Sequence, residues 1–398
     1  MPRFLTLNDL DAKGKRVLVR ADLNVPVKDG RVTDPTRIAR LAPTIRELAE
    51  KGALVVVISH FGRPNGKPDP ALSLKPIAQP LSEALQRRHV VFAEDCIGPR
   101  AKAAVDGLKP GETALLENLR FHKEEESNDP SFAKALASLA DIYVDDAFSC
   151  AHRAHASVEA VAHLLPAYAG RLMEAELKAL SAALEHPRHP VAAIVGGAKV
   201  STKLAMLHFL VAKVQVLIIG GAMANTLLLA EGRGVGKSLV ERDLLEQARR
   251  LRGEAEKAGC ELILPVDAVV AKELKPGVAV QTVSIGQVPE DAMILDIGPR
   301  TAALIAEKLA SCRTLVWNGP LGAFEIKPFD QGTSVIALLV AELTQGRRLL
   351  SVAGGGDTVA ALKAASVTGK LSYVSAAGGA FLEWLEGRDL PGIQALKR

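Results

Sequence analysis

The chain has 398 residues, 48% of them hydrophobic, and sets 49 Lys and Arg against 45 Asp and Glu for a net charge of +4. That length exceeds what one hydrophobic core usually supports, so two domains are expected and disorder is excluded. Near-balanced charge, three Tyr, two Trp and no basic stretch interleaved with aromatics argue against nucleic acid as a partner.

The opening MPRFLTLNDL has no long apolar stretch, and later apolar runs are broken by charge, Gly or Pro well short of a membrane span. A cytoplasmic protein with no membrane partner is the expectation. Cys96, Cys150, Cys260 and Cys312 form no CxxC pair and fit buried thiols better than disulfides or a zinc site. The runs KEEE at 123–126 and RRLR at 249–252 read as solvated faces.

Short β-branched runs recur at 17–20, 54–60, 90–94, 114–117 and 142–148, then at 192–197, 216–221, 262–266, 293–298, 314–318, 349–354 and 371–375. Amphipathic helical stretches separate many of them, which predicts parallel α/β sheets, two of about six strands each. Between the two groups, residues 169–184 have a strong helical pattern and precede Pro187 and Pro190. This is the expected interdomain helix.

Ligands of such sheets bind beyond the carboxyl ends of the strands. There the halves differ. The first half offers Asp22 and Asn24, His60 and Arg63, Arg120 and Arg153, with Arg37 in Thr33-Asp-Pro-Thr-Arg37. One arginine is usually a surface charge, but four at strand ends or adjoining turns predict a pocket for a small, multiply anionic ligand. Asp22 and Asn24 suit a ligand hydroxyl or the orientation of an arginine.

The second half offers Gly196-Gly197-Ala-Lys199, Gly220-Gly221, Asn318-Gly-Pro-Leu-Gly322, Gly354-Gly-Gly-Asp357-Thr358 and Gly378-Gly379. Glycine after a strand lets backbone approach phosphate, and a following helix adds N–H groups and its dipole. Asp357 is a hard oxygen ligand suited to Mg²⁺. Lys199 and Lys203, four apart, are expected on one face of a helix starting after Gly197, within reach of phosphate. Gly232-Arg-Gly-Val-Gly236-Lys237-Ser238 imitates the end of a Walker A loop, but its first glycine would fall on Glu231 and a helix is predicted before it. His152 and His155 follow Asp145 and Asp146 without any metal-site spacing, so satisfied or substrate-facing histidines are expected.

Over essentially its whole length the chain resembles the phosphoglycerate kinase family. The matching segments are Arg20-Ala-Asp-Leu-Asn-Val-Pro26, Thr33-Asp-Pro-Thr-Arg-Ile38, Ser59-His-Phe-Gly-Arg-Pro64, Leu116-Glu-Asn-Leu-Arg-Phe121, His152-Arg-Ala-His-Ala-Ser157, Gly196-Gly-Ala-Lys-Val-Ser201, Trp317-Asn-Gly-Pro320 and Gly354-Gly-Gly-Asp-Thr358. The resemblance implies two Rossmann-like, three-layer α/β domains with parallel sheets, joined by an interdomain helix. An N-terminal domain at 1–168 would bind 3-phosphoglycerate, 169–185 would be the helix, 186–385 the nucleotide domain, and 386–398 a tail returning to the first domain. The family is usually monomeric and cytosolic and serves glycolysis and carbon fixation.

By that similarity 3-phosphoglycerate or 1,3-bisphosphoglycerate would contact Asp22, Leu23, Asn24, Arg37, His60, Phe61, Gly62, Arg63, Arg120 and Arg153. ADP or ATP would lie against Gly197, Lys203, Gly221, Asn318, Pro320, Glu325, Gly355, Gly356, Asp357 and Thr358, with Glu325 on the ribose and Asp357 holding Mg²⁺. The attacking oxygen is already ionised in either direction, so no general base is needed and catalysis rests on alignment and charge. Arg37 and Lys199 are assigned to the equatorial oxygens of the moving phosphoryl, Lys203 to the nucleotide phosphates, and the N–H groups of Gly378 and Gly379 to the transition state. Hinge bending is expected near 169–184.

Two segments depart from the family pattern. The last loop reads Ser375-Ala-Ala-Gly-Gly-Ala-Phe381 where Ser-Thr-Gly-Gly-Gly-Ala-Ser is usual, removing a hydroxyl and one glycine; if position 377 needs positive φ, alanine is strained there. Phe61 stands where leucine is usual. Two other readings of the residues stay open at this level: another α/β kinase of acidic metabolites, and a non-catalytic protein whose basic N-terminal cleft holds nucleic acid.

Overall fold

Apolar β-branched runs bounded by polar turns become buried strands when helices cover both faces of a sheet. The structure, a computed structural model that describes residues 4–397, has two compact units. One comprises the residues up to Leu177 together with the segment from Asp389, the other Lys178–Arg388.

In the first unit β1 (Arg16–Arg20) is followed by the small hairpin β2 (Val27–Lys28) and β3 (Arg31–Val32), then by β4 (Leu54–Ile58), β5 (Val90–Ala93), β6 (Thr113–Leu116), β7 (Ile142–Asp145) and β8 (Ala167–Ala169). Six of these form a parallel sheet in the order β5-β6-β4-β1-β7-β8. Helices α1 (Thr36–Glu50), α2 (Ala78–Ala84), α3 (Gly98–Asp106) and α4 (Pro130–Ala137) occupy the connections. The buried positions of α1, Ile38, Leu41, Ala42, Ile45, Leu48 and Ala49, recur at helical spacing. They share a core with Val17, Val19, Val55 and Val57 of β1 and β4. Asp129 starts α4 by accepting from the N–H groups of Ser131 and Phe132 at 2.8 and 2.9 Å, with Pro130 at the first helical position.

The sequence pattern begins the interdomain helix at residue 169, but Ala167–Ala169 is the edge strand β8, and α5 runs over Arg171–Leu180 before a π turn at Ser181–Glu185. The reason is Asp146. Its Oδ1 accepts from the N–H groups of Leu172 and Met173 at 2.8 and 3.0 Å, capping α5. A Cβ at Gly170 would lie 2.7 Å from the Asp146 Cβ, so only glycine lets the strand turn into the helix there.

The second unit continues with β9 (Val191–Val195), α6 (Leu204–Val211), β10 (Val216–Ile219), α7 (Ala222–Ala230), α8 (Leu245–Ala258), β11 (Glu261–Ile263), β12 (Asp267–Ala271), β13 (Gln281–Ser284), β14 (Met293–Ile297), α9 (Pro299–Ser311), β15 (Thr314–Asn318), α10 (Gln331–Gln345), β16 (Leu350–Ala353), α11 (Gly356–Ala364), β17 (Tyr373–Val374) and α12 (Gly378–Leu385). Its main sheet is parallel, in the order β11-β10-β9-β15-β16-β17, around a core that includes Ile194, Ile218, Leu315 and Trp317.

The run at 293–298 does not join that sheet. It forms β14 of a separate antiparallel sheet in the order β13-β12-β14, two strands of which were not anticipated. Helix α7 precedes Gly232 directly, so the Walker-like stretch lacks the strand a P-loop requires. A last helix, α13 (Pro391–Leu396), belongs to the first unit, where the Gly392 N–H donates to the Ala151 carbonyl at 2.9 Å.

Candidate active site

Sheet order decides which loops meet. In the first unit β6, β4, β1 and β7 are consecutive neighbours, so the segments carrying Arg120, His60 to Arg63, Asp22 to Asn24, and Arg153 leave adjacent strand ends. Cross-links join them. Arg120 donates to the Gly62 carbonyl at 2.8 Å, the Gly62 N–H donates to Asn24 Oδ1 at 3.0 Å, and Ser149 donates to Asp22 Oδ2 at 2.5 Å. Arg37, second residue of α1, donates to the same Asp22 oxygen at 2.6 Å. Burial alone would raise the Asp22 carboxyl, but Arg37 and the Ser149 hydroxyl together hold it below its ordinary value. Arg63 is exposed. The side chains of Leu23 and Phe61 are part of the hydrophobic core, so their share in a ligand site is limited to backbone.

A buried cation, Arg20, joins these loops, and nothing in its sequence motif marks that role. Its buried guanidinium donates to Ser157 Oγ at 2.8 Å and lies 3.2 Å from His60 Nδ1. Burial, then Arg20, with Arg120 and Arg153 adding to them, pushes His60 well below the ordinary histidine range. A neutral imidazole facing a permanent donor must accept at Nδ1, which leaves its proton on Nε2. His155 is pushed down to about 3 by burial and by the same arginines. Glu125, inside the run read as solvated, is instead fully buried. It accepts from the Ser157 N–H at 2.9 Å and hydroxyl at 2.5 Å, and its charge faces Arg20.

Asp145, the last residue of β7, is buried with Oδ1 accepting from the Ala147 N–H at 2.9 Å and no partner for Oδ2 among the described residues. Burial pushes this carboxyl up to about 7, and burial likewise takes Asp146 to about 6. A folded-state value above the unfolded one means the stabilisation is complete below the unfolded pKa and lost as pH rises through about 7. Asp145→Asn keeps the Oδ1 acceptor and cannot ionise. Its stability relative to wild type should therefore improve by up to about 4 kcal/mol between about pH 4 and pH 8. Urea unfolding across that range checks it; parallel curves for the two proteins would contradict it.

In the second unit β10, β9, β15, β16 and β17 are consecutive, so all five glycine-bearing loops leave neighbouring strand ends. These glycines let the loops approach one another closely. Gly221 has φ 66°, and a Cβ there would lie 2.7 Å from the Gly197 carbonyl oxygen. Asn318 Nδ2 donates to the Gly354 carbonyl at 2.8 Å, and the Gly319 N–H donates to Thr358 Oγ1 at 2.7 Å. Buried Asn318 and Thr358 thus clamp the loops together.

The helix expected directly after Gly197 does not form there. Residues 196–203 are irregular, α6 starts at Leu204, and Lys203 is its N-cap residue. Lys199 is exposed on the loop. Lys203 turns inward, donating to the Gly196 carbonyl at 2.5 Å and to Asn318 Oδ1 at 2.7 Å. Burial pulls its pKa down to about 8, against the opposing charge of Asp357. The two lysines therefore occupy different environments.

Beside these loops is a cavity of about 350 Å³ whose lining includes Gly197, Gly221, Pro320, Glu325 and Asp357. Its apolar wall, among others Leu239, Met293, Leu295 and Phe324, was not anticipated, because no local pattern distinguishes such residues from core. The antiparallel sheet supplies part of it through β14. A slot of this size with few polar groups suits a flat heterocycle. Asp357, exposed at the second position of α11, is a carboxylate on the cavity wall next to a helix N-terminus. That fits a Mg²⁺ ion, which usually takes one or two carboxylates and shares the remaining positions between phosphate oxygens and water.

Gly378 and Gly379 open α12, where the first N–H groups have no intrahelical acceptor. Ala377 is the N-cap residue at φ −97°, so alanine is unstrained there. Its N–H donates to Ser375 Oγ at 3.1 Å, so the turn keeps a side-chain acceptor of its own.

A profile of the family described as Phosphoglycerate kinase matches residues 7–388. A protein of that name from Rhodospirillum centenum is 59% identical over 393 residues, covering 99% of both chains. One from Chelativorans sp. is 60% identical over 399 residues, covering 100% of both. Among solved structures, phosphoglycerate kinase from Coxiella burnetii superposes with a TM-score of 0.92 at 44% identity over 99% of each chain. The enzyme from Pyrococcus horikoshii gives 0.80 at 32% identity over 98% of each.

Proposed function

The chain belongs to the phosphoglycerate kinase family, and from that premise we propose how its residues carry the reversible transfer of a phosphoryl group from 1,3-bisphosphoglycerate to ADP. The observation that carries the assignment is the gathering of Asp22, Arg37, His60, Arg63, Arg120 and Arg153 by one sheet order, and of the glycine loops around Lys203 by the other.

Arg63, Arg120 and Arg153 hold the phosphate of 3-phosphoglycerate. Neutral His60 offers its Nε2–H, and Asp22 and Asn24 receive the hydroxyl. Leu23, Phe61 and Gly62 contribute backbone. Arg37, held by Asp22 at 2.6 Å, presents its remaining N–H donors to the phosphoryl in flight, with exposed Lys199 as the second cation and the N–H groups of Gly378 and Gly379 as neutral donors. Preorganised donors of this kind stabilise charge without reorganising.

The base of ADP or ATP occupies the apolar cavity, Glu325 takes the ribose, and Lys203 and the loops of Gly197, Gly221, Pro320 and Gly355 to Thr358 take the phosphates. Asp357 would hold Mg²⁺, whose charge offsets that of the phosphates. Acceptor and donor are assigned to different units, so transfer requires closure that aligns the two and excludes water. Family habit supports a cytoplasmic monomer acting in glycolysis or carbon fixation; among the described residues no helix is long and apolar enough to cross a membrane.

A coupled assay with ATP, Mg²⁺ and 3-phosphoglycerate tests the reading. Saturable, ATP-dependent consumption of 3-phosphoglycerate is expected. Intact ATP binding with no turnover would redirect the assignment to another acidic metabolite.

A further inference from the structure

The ends of β5 and β6, neighbours at one side of the first sheet, carry a side-chain cluster with a different chemistry from the arginines. Asp95 and Cys96 follow β5, and His122 follows the short 3₁₀ turn after β6. A carboxylate oxygen, the thiol sulfur and an imidazole nitrogen of these three residues all lie within 4.8 Å of one another. His122 Nε2 is 2.8 Å from Asp95 Oδ1, and the same oxygen accepts from the Cys96 N–H at 2.7 Å.

Cys96 is completely buried, whereas Asp95 and His122 also line a cavity of about 810 Å³. The Phe132 ring packs on the imidazole at a centroid distance of 5.3 Å and limits its rotation. Burial, then the charges of Asp95, Glu125 and Glu117, push the Cys96 thiol well above its ordinary value, so it is a thiol in the absence of a cation. Ligands about 2.0–2.3 Å from a tetrahedral zinc ion stand roughly 3.3–3.8 Å apart. The observed spread therefore needs only small side-chain rotations to close on an ion.

We propose that Asp95, Cys96 and His122 form a binding site for a zinc-class divalent cation, distinct from the active site, with a fourth position open to the adjoining cavity. One sulfur, one nitrogen and one oxygen ligand select a borderline-soft ion such as Zn²⁺ over Mg²⁺, which requires oxygen ligands. On binding, the Cys96 S–H bond breaks and its proton leaves to solvent as a metal–sulfur bond forms, while the His122–Asp95 hydrogen bond breaks and the imidazole keeps its proton on the nitrogen that does not ligate the ion, with no change of oxidation state. The site joins two strand ends that the sequence separates by some 25 residues, which is why cysteine spacing alone gave no sign of it.

The test uses the full-length protein freed of metal by chelator and titrated with Co²⁺, then Zn²⁺. One equivalent of Co²⁺ should bind with a thiolate-to-cobalt charge-transfer band, Zn²⁺ should displace it, and excess Mg²⁺ should not. His122→Gln and Asp95→Asn should each weaken binding by at least about a hundredfold, since losing even an outer-shell partner costs ten- to a hundredfold. Cys96→Ser should abolish the charge-transfer band, while Cys312→Ser, a buried thiol of the other unit, should leave it intact. Circular dichroism confirms that each variant is folded; if Cys96→Ser is not, His122→Gln decides. Absence of stoichiometric binding, a cobalt spectrum without thiolate character, or wild-type affinity in folded His122→Gln would each overturn the proposal.

Discussion

Arg37→Ala should lower turnover by about two to three orders of magnitude while the fold stays intact, the scale expected when one preorganised donor to a transition state is removed. Arg37 holds Asp22 Oδ2 at 2.6 Å, with the arginine side chain 39% exposed. The Asp22 end is only 12% exposed, so the pair contributes somewhat more than the about 0–1 kcal/mol of a fully exposed one. Asp22 also keeps its bonds from Ser149 and from the Asn24 N–H, so the vacated carboxylate is not left bare. The loss therefore belongs to kcat, with a smaller rise in KM for 3-phosphoglycerate. Arg37→Lys restores the charge but not the planar fork and should recover only part of the rate. Steady-state kinetics and thermal melts on both variants separate the cases. An unchanged kcat with a raised KM would reduce Arg37 to a binding residue, and a collapsed melting temperature would make it a structural one.

What the sequence could reveal about this site follows the range of the interactions involved. Residues at the ends of strands were legible, because β-branched runs such as 54–58 and 314–318 locate themselves. Sheet order is not written locally: strand-end positions grouped the arginines into one expected pocket, but which ends are neighbours comes only from the order β6-β4-β1-β7. Elements set by a tertiary contact were missed. Ala169 reads as the first residue of a helix, but it ends strand β8, and the helix starts at Arg171, where Asp146 caps it. Residues 198–203 read as the start of a helix, but Lys203 bonds two neighbouring strand ends instead. Glu125 looks like one charge in a solvated run, although it is the buried partner of Ser157 and faces Arg20. The apolar wall of the cavity beside the glycine loops had no signal, since Leu239, Met293 and Phe324 come from separate segments.

Lys203 supplies the second large effect, and its pH dependence distinguishes it from a generic surface lysine. Burial brings its pKa down to about 8, with Asp357 opposing. A phosphate group must bind the protonated form and raise that value again, so nucleotide affinity should fall as pH rises through about 8, by up to about tenfold per pH unit. Stability without ligand should move the other way. A depressed lysine pKa means the folded state resists the charge, so its contribution is complete above the unfolded value of about 10.4 and is lost as pH falls through about 8. Lys203→Met should bind ATP about ten- to a hundredfold more weakly at pH 7, the worth of a charged hydrogen bond, and its affinity should be flat across pH 7 to about 9.5. It also leaves the Gly196 carbonyl and Asn318 Oδ1 without their donor, which offsets some of the stability gained by removing a buried charge. Calorimetric titration with ATP on wild type and variant, with urea unfolding over the same pH series, tests both halves. Equal pH slopes of binding in the two proteins would remove Lys203 from the phosphate site, and a wild-type stability that fails to rise between about pH 8 and 10 relative to the variant would show that the ammonium is not held out of solvent as these contacts require.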